Sequence, residues 1–285
     1  MTRVAVLGAG RVGTALALAL PDPAYRVVAV AGRSPQGLAT FTRRVPSAVV
    51  LPAAEAARSA DLVLVAVPDD ALAGLVQEVV AQEGVAEGSR WVHTAGGYDA
   101  EVLAPARPGG AAVAACHPAV SFPDADTGLA ALPGASWAVT AADDDLGWAR
   151  VLVTDFRGSP VTVPSGSRTL YHAGLAVGSN ATVSVVTLAR DLLLGAGVAD
   201  PGAFLGPLVT TSAANAAARG AAALTGPVRR GDVVTLDRHL TELARVLPEA
   251  VDAYVALARL ALTHARQEGL ERKRADAVER RLDQP

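Results

Sequence analysis

The chain has 285 residues, of which 51% are hydrophobic and 4% aromatic, and its 25 basic and 28 acidic side chains give a net charge of −3. This length suggests two domains, and the near-neutral charge argues against nucleic acid or an anionic membrane as the main partner. The single cysteine, Cys116, excludes an intramolecular disulfide and a multi-cysteine metal site, and it favours a reducing, cytoplasmic location.

Strand-like and helical segments alternate over the first 165 residues. Short apolar runs predict strands at residues 4–7, 26–31, 49–51, 62–67, 90–94, 112–116 and 136–140. Continuous apolar strands separated by helices indicate a parallel sheet buried on both faces, so we predict a doubly wound α/β domain spanning residues 1–165. The apolar run at residues 14–20 resembles a signal peptide, but a glycine motif before it and a strand after it favour a structural interpretation.

Strand signals disappear after about residue 166. Helical stretches rich in alanine and leucine follow, at residues 168–197, 201–223, 232–247 and 249–270. Glycine and proline separate them, which predicts an all-α domain over residues 166–285 with a solvated terminal helix or frayed tail at residues 266–283. No apolar run reaches the roughly 18 residues that a transmembrane helix needs. Alanine-rich helices pack closely, and we expect a homodimer through this domain.

A glycine motif joins the first strand to the first helix. Gly8, Gly10 and Gly13 are spaced as G-x-G-x-x-G, with Arg11 and Val12 before the third glycine. The first glycine allows a tight turn, the second lets the backbone approach a pyrophosphate, and the third lets the helix pack against the strand. Because strand, helix and second strand follow in order, the motif predicts a Rossmann-type dinucleotide site and not merely a glycine-rich turn.

The residues after the second strand indicate which dinucleotide binds. An NAD site places an acidic residue about 20 residues after the motif, whereas this chain has Arg33 and Ser34 and no acid nearby. Arg33 suits a charge-assisted pair with a 2′-phosphate, and Ser34 suits a second hydrogen bond, so we predict NADPH. The alternative is a surface arginine in a turn. Further cofactor contacts are expected after later strands, at Val67, Pro68 and Thr94.

Two histidines fall at the carboxyl ends of predicted strands, the edge where open α/β sheets bind ligands. His117 is followed by Pro118, which fixes the loop; the alternative role for His117 is to cap a buried strand end. The segment beginning at His93 is expected to line the cofactor through its backbone and Thr94. The remaining helical histidines, His239 and His264, are interpreted as structural.

The first helix after the sheet carries polar residues on an otherwise apolar background. An interval of eight residues at about 100° each places His172 and Asn180 within about 80° of one another, with Ser179 on the same stripe. This pattern indicates either a substrate site facing the nicotinamide or a polar seam between helices. No set of residues has metal-ligand spacing, and no nucleophile elbow is present.

These motifs together resemble those of one bacterial family. They span residues 4–232 and read Leu-Gly-Ala-Gly-Arg-Val-Gly, Gly-Arg-Ser, Val-Pro-Asp-Asp, His-Thr-Ala-Gly, Cys-His-Pro-Ala-Val-Ser-Phe, Tyr-His…Ser-Asn and Leu-Thr-Gly-Pro-Val-Arg-Arg-Gly-Asp. The family joins a Rossmann-like domain to a helical domain of unknown function, and it is similar to ketopantoate reductase, pyrroline-5-carboxylate reductase, the β-hydroxyacid dehydrogenases and prephenate dehydrogenase. The resemblance implies an NADP-linked oxidoreductase that dimerises through the helical domain.

The proton donor departs from the pattern of these relatives. The β-hydroxyacid dehydrogenases and ketopantoate reductases use a lysine from the first helix of the second domain, but the only lysine here is Lys273. The role therefore passes to His172 or His117, or the chain is no catalyst. A histidine near its ordinary pKa of about 6.5 is suited to it. The likeness to prephenate dehydrogenase, which places such a histidine beside the ring hydroxyl, supports His117.

The predicted function is NADPH-dependent reduction of a small 2-oxo acid, with 2-dehydropantoate as the leading candidate. Asn180 and Ser121 would polarise the carbonyl or orient the substrate, with Ser179 nearby, and Arg230 or its neighbour Arg229 would bind a carboxylate. The alternative for Arg230 is a turn between helices, with Asp232 as the N-cap. The alternative functions are an imine reductase of the pyrroline-5-carboxylate type and a non-catalytic NADP-binding regulatory or scaffold protein.

Overall fold

The computed structural model describes residues 1–284, and the strands within them form one sheet. The strands are β1 Thr2–Leu7, β2 Tyr25–Ala31, β3 Val49–Val50, β4 Leu62–Val65, β5 Arg90–His93, β6 Ala112–Pro118, β7 Ser136–Ala141 and β8 Ser159–Thr162. The helices among and after them are α1 Arg11–Ala19, α2 Pro35–Arg44, α3 Ala53–Arg58, α4 Asp69–Ala81, α5 Ala125–Ala131, α6 Asp143–Asp155 and α7 Arg168–Ala176, with a 3₁₀ helix at Ala100–Gly109.

The sheet has the strand order β3-β2-β1-β4-β5-β6-β7-β8, and β1 to β6 are parallel. This confirms the predicted α/β class and its doubly wound parallel sheet. The one departure is that β7 runs antiparallel to β6, while β8 runs parallel to β7. The connecting helix α5 spans only about 10 Å, whereas a strand of seven residues spans about 23 Å, so the chain enters β7 near the end where it left β6.

Alternate residues of the central strands enter two separate hydrophobic cores. On β1, Val4 and Val6 lie in one core, and Ala5 and Leu7 lie in the other. Successive side chains of a strand point to opposite faces of a sheet, so a strand that is apolar at every position is buried on both faces. All four side chains are buried, as the continuous apolar run predicted.

Helix α7 belongs to the unit that contains the sheet. The chain divides into one unit of residues 1–179 and a second that begins at Asn180, whereas the sequence placed the boundary at residue 165. Arg168, in the first turn of α7, is only 1% exposed, and its guanidinium donates to Thr140 Oγ1 (2.9 Å) and to the carbonyl oxygens of Ala115 (2.6 Å) and Ala138 (3.2 Å). These bonds hold α7 on β6 and β7.

A π-helical turn at Val177–Ala181 interrupts the helix that was predicted to run over residues 168–197. A π turn holds more residues than an α-helical turn, so the spacing of about 100° per residue does not apply through it. The predicted angle of about 80° between His172 and Asn180 assumed one continuous α-helix, and it therefore does not hold. Ser179 and Asn180 both lie on this turn and are exposed.

The second unit is helical throughout its described residues. Its elements are α8 Thr182–Gly195, α9 Pro201–Arg219, α10 Pro227–Arg230, α11 Val233–Val246, α12 Val251–Gln267 and α13 Arg272–Leu282, with 3₁₀ turns at Gly220–Ala223 and Pro248–Ala250. The terminal segment is neither frayed nor wholly solvated, because Ala275, Val278 and Leu282 of α13 pack into the core of this unit. Within residues 1–284, no helix combines the length and the apolar character needed to cross a membrane.

Candidate functional site

The glycine loop between β1 and α1 depends on two close backbone approaches. Gly8 has φ +121°, and a Cβ there would lie 2.3 Å from the carbonyl oxygen of Ala66. A Cβ on Gly13 would lie 2.0 Å from the carbonyl oxygen of Gly8. Gly10 differs, because nothing lies within 4 Å of where its Cβ would be. The geometry thus leaves open space at the glycine predicted to face the pyrophosphate.

The amino terminus of α1 is suited to an anion. Its first turn contains no acidic residue, so no side-chain carboxylate competes for the positive end of the helix dipole. Arg11, the first residue of α1, donates from Nη1 to the carbonyl oxygen of Pro123 at 3.2 Å. Arg11 therefore ties the glycine loop to the loop after β6, which carries the exposed Ser121. Val12 is half-buried against the core.

The turn after β2 presents the residues predicted to select NADPH. Ser34 caps α2, with Oγ accepting from the Gly37 amide at 3.1 Å, so its hydroxyl proton is still available to a ligand. Arg33 is exposed, and among the described residues no hydrogen bond or ion pair of its side chain is found. The nearby Arg44 is ion-paired with Asp126. Arg33 is therefore available to a phosphate in a way that Arg44 is not.

His93 is a structural residue. Its Nδ1 accepts from the Ala95 amide at 3.2 Å, so Nε2 carries the proton and donates to the Asp99 carbonyl oxygen at 3.0 Å. Burial lowers the pKa of His93 to about 4. Both ring nitrogens are thus occupied in holding the turn after β5, which carries the half-buried Thr94. On the adjacent strand, the half-buried Val67 and the exposed Pro68 follow β4.

Both histidines predicted to be catalytic come together at the carboxyl ends of β5 and β6. The ring centroids of His117 and His172 lie 6.1 Å apart. A Cβ on Gly96 would lie 2.6 Å from His172 Cδ2 and 3.0 Å from His117 Nε2, and one on Gly97 would lie 3.2 Å from His172 Nδ1. The two glycines after β5 therefore make room for the two imidazole rings.

Tyr171 joins this group, although no role was predicted for it. Its hydroxyl lies 2.9 Å from His117 Nδ1, and the two rings meet edge to face at 84°. The sequence signal was only its position beside His172 on a helix. Neighbours on a helix point about 100° apart, so adjacency did not predict that both would reach one site.

The environment of His117 disfavours its predicted role as the proton donor. Burial, followed by the positive charge of Arg168 and the nearby His172 and His93, lowers the pKa of His117 to about 4. The assumption that it titrates near 6.5 is therefore wrong, and at neutral pH His117 holds no imidazolium proton to give. Burial raises the pKa of the neighbouring Cys116 thiol to about 12, so this side chain is a neutral core residue.

Arg168 brings a buried positive charge to the cluster, and the carboxylate of Asp99 interacts with it without forming a salt bridge. Its Cζ lies 5.8 Å from the centroid of the Tyr171 ring, within cation–π distance. No carboxylate of residues 1–284 forms a salt bridge with it, and its Nη1 has no hydrogen-bond partner there. A buried charge is costly when unpaired, so this guanidinium favours negative charge nearby. The role of Arg168 is not predictable from the sequence, because no local motif reports a long-range contact.

The remaining predicted residues lie in the second unit. Arg230 is exposed and lies 3.9 Å from Asp232 Oδ2. Asp232 caps α11 by accepting from the Thr235 amide at 3.1 Å, as expected for a turn between helices, and the carboxylate-binding role of Arg230 stays a prediction. Arg230 also lines an open groove of about 630 Å³. His239 Nδ1 lies 2.8 Å from the Tyr254 hydroxyl, a second histidine–tyrosine pair.

Comparisons with known proteins agree with this architecture. Residues 1–118 match the Rossmann-like domain, and residues 135–261 match a domain of unknown function, DUF2520. The chain therefore joins a Rossmann-like domain to DUF2520, as the resemblance of its motifs implied. No curated protein matches the sequence.

Several solved structures share the fold. The "putative NADP oxidoreductase BF3122" from Bacteroides fragilis is 25% identical, with a TM-score of 0.77 over 91% of this chain and 97% of that chain. Protein TM1727 from Thermotoga maritima is 19% identical, with a TM-score of 0.68 over 93% and 99%. An imine reductase from Myxococcus stipitatus, solved with NADP+, is 18% identical, with a TM-score of 0.66 over 92% and 94%.

Proposed function

We propose that this protein is an NADPH-dependent reductase of a small carbonyl or imine compound. The observation that carries the proposal is the cluster of His117, Tyr171, His172 and Arg168 at the carboxyl edge of the sheet whose glycine loop suits a dinucleotide. Open α/β sheets bind their ligands at this edge. The similarity of the fold to the "putative NADP oxidoreductase BF3122" and to imine reductases solved with nicotinamide cofactors supports it.

The residues of the first unit fit the cofactor. The open space at Gly10 and the amino terminus of α1 would receive the pyrophosphate, and Arg33 with Ser34 would receive the 2′-phosphate. Val67, Pro68 and Thr94 follow β4 and β5, where the nicotinamide end would lie. When bound, NADPH supplies a hydride. The chain's own groups hold the substrate and provide the proton.

A small 2-oxo acid is our leading substrate class, with 2-dehydropantoate as the first candidate. The buried charge of Arg168, whose Nη1 has no hydrogen-bond partner, favours a substrate that carries a carboxylate. Cyclic imines are the second class, because imine reductases are among the proteins that share the fold. Ser121, Ser179, Asn180 and Arg230 stay predictions from the sequence as substrate contacts.

NADPH oxidation in the presence of a panel of 2-oxo acids and cyclic imines tests this function. We expect kcat/KM on the order of 10⁴ M⁻¹s⁻¹ or more for members of one class, within the ordinary range of enzymes. At least a tenfold preference for 2-oxo acids over imines supports the carboxylate argument. Tight NADPH binding without turnover of any compound contradicts the proposal and favours a non-catalytic NADP-binding protein.

In the Arg33→Ala variant, the ratio of NADPH affinity to NADH affinity is expected to fall by about 10- to 100-fold. A hydrogen bond to a charged group contributes about 1.5–3 kcal/mol, and each 1.4 kcal/mol is a factor of ten. The measurement is the affinity for each dinucleotide by fluorescence titration. Arg26→Ala, at the other end of β2, is the matched control and should keep the wild-type preference. An unchanged preference in Arg33→Ala would remove the 2′-phosphate assignment.

We also propose that α8 and α9 form a homodimer interface. Helix α8 carries a largely apolar sequence, TVSVVTLARDLLLG, and none of its residues is buried. On α9, Phe204 is 62% and Leu208 is 59% exposed. Monomeric soluble proteins rarely expose apolar surface of this extent, and most oligomers are symmetric assemblies of one chain. We therefore assign the exposed apolar face of α8 and α9 to contact with a second copy of this chain.

A further inference from the structure

We propose that the Tyr171 phenol, and not a histidine, is the proton donor, with His117 Nδ1–H donating to the phenol oxygen and Arg168 stabilising the phenolate. This inference rests on the proposed reductase function and names the group that completes the reaction. It assigns His117 and Arg168 as positioning residues that act through Tyr171.

The contacts of Tyr171 distinguish it from the two histidines. Its oxygen lies 2.9 Å from His117 Nδ1, and its ring lies under the Arg168 guanidinium. His117 is neutral at neutral pH because burial and Arg168 lower its pKa. Burial raises the pKa of Tyr171, an effect that Arg168 partly offsets, so the phenol holds its proton at neutral pH until a stronger base takes it.

The direction of the hydrogen bond between Tyr171 and His117 decides whether the phenol proton is free. If Nδ1 carries the imidazole proton, His117 donates to the phenol oxygen, and the phenol hydrogen can point to a substrate. With the opposite tautomer, the phenol would donate its hydrogen to Nδ1, and that hydrogen would not point to a substrate. The proposal therefore requires the Nδ1–H tautomer of His117, whereas the contacts of His93 require Nε2–H in that ring.

The proton transfer balances without a further reactant. As the substrate carbon accepts a hydride, its C=O or C=N π bond breaks, and the electron pair moves to oxygen or nitrogen. The O–H bond of Tyr171 then breaks, and its proton forms the new O–H or N–H bond of the product. Tyr171 is left as a phenolate beside the positive charge of Arg168. Water returns the proton to the phenolate. His172 is exposed, and its ring centroid lies 6.1 Å from that of His117.

Arg168 forms no salt bridge within the described residues of the resting protein, and the phenolate would give it an adjacent anion. The guanidinium is held by oxygen atoms of Thr140, Ala115 and Ala138, all of them neutral. An anion that forms on Tyr171 during the reaction compensates a charge that is already in place. Preorganised charge of this kind stabilises a transition state without reorganisation at the moment of reaction.

The Tyr171→Phe variant tests the donor role. We expect single-turnover NADPH oxidation to fall by at least 100-fold, since general acid catalysis contributes about 10²–10⁴. NADPH affinity should stay within threefold of the wild type. The matched control is Tyr254→Phe, which removes the hydroxyl of the other tyrosine–histidine pair, with an oxygen–nitrogen distance of 2.8 Å and rings at 87°. The control should turn over at the wild-type rate.

A second measurement does not depend on turnover. Nitrogen-15 NMR of the wild-type protein, with the His117 signals assigned through His117→Gln, reports which ring nitrogen carries the proton. We expect the Nδ1–H pattern, neutral down to about pH 5 because the pKa of His117 is lowered to about 4. A dominant Nε2–H pattern for His117 overturns the proposal.

The outcomes separate this inference from the proposed function. An active wild type together with a Tyr171→Phe variant within threefold of its rate overturns the tyrosine donor and leaves the reductase function intact. A wild type that reduces no carbonyl or imine overturns both. An active wild type, an inactive Tyr171→Phe variant that still binds NADPH, and the Nδ1–H tautomer together support the assignment.

Discussion

Gly10→Ala is expected to lower NADPH affinity by at least 100-fold while keeping the free energy of unfolding within about 1 kcal/mol of the wild type. Nothing lies within 4 Å of the added methyl group, so the folded chain accepts it. The backbone of Gly10 is extended, with φ −89° and ψ −169°, which alanine adopts freely. The same open space is where the pyrophosphate would approach the backbone. The methyl group should therefore hinder ligand binding without disturbing the fold.

Gly13→Ala is the contrasting variant. The added methyl group would lie 2.0 Å from the carbonyl oxygen of Gly8, a backbone atom that cannot rotate away. We expect a loss of about 3 kcal/mol of stability, at the upper end of overpacking effects. Urea unfolding and NADPH titration of both variants check the pair. If Gly10→Ala binds NADPH normally, the cofactor does not approach this glycine.

Phe204→Glu is expected to halve the molecular mass in solution, from twice 28.8 kDa to 28.8 kDa. The substitution places a charge on the exposed apolar face of α8 and α9, where a second copy would have to bury it unpaired. Light scattering across a range of concentrations measures the change.

Val151→Glu is the control for that experiment. Val151 is 60% exposed on α6, almost as exposed as Phe204, but it belongs to the first unit. We expect this variant to keep the wild-type mass. A wild-type chain that is monomeric at all concentrations would contradict the proposed interface.

The sheet was predictable because its determinants are local. Each central strand is apolar at consecutive positions, and the glycines before α1 specify a strand–turn–helix unit. The short strand β8 and the reversed direction of β7 were not predicted. The direction of β7 depends on the length of α5 relative to the strand before it, and β8 reads Ser-Pro-Val-Thr, which lacks a continuous apolar run.

The candidate site was predictable only in part. Position at a strand end identified His117, and a helical stripe identified His172, but neither pattern reports burial or charge. The pKa of His117 depends on its burial and then on the charge of Arg168, which lies 51 positions away in the sequence. Tyr171 acquires its contact with His117 only because Arg168 holds α7 against the sheet. Such long-range contacts have no local sequence signature.

The reactivity of the buried Cys116 can be used to measure how often the sheet opens. Cys116 is the only thiol in the chain, it lies on β6 immediately before His117, and its pKa of about 12 leaves almost no thiolate at neutral pH. Thiol reagents attack the thiolate, so labelling requires the strand to leave its neighbours first. The labelling rate of the native protein therefore measures how often β6 opens, and no engineered probe is needed. A ligand bound at this edge should slow that rate in proportion to how firmly it holds the strand closed.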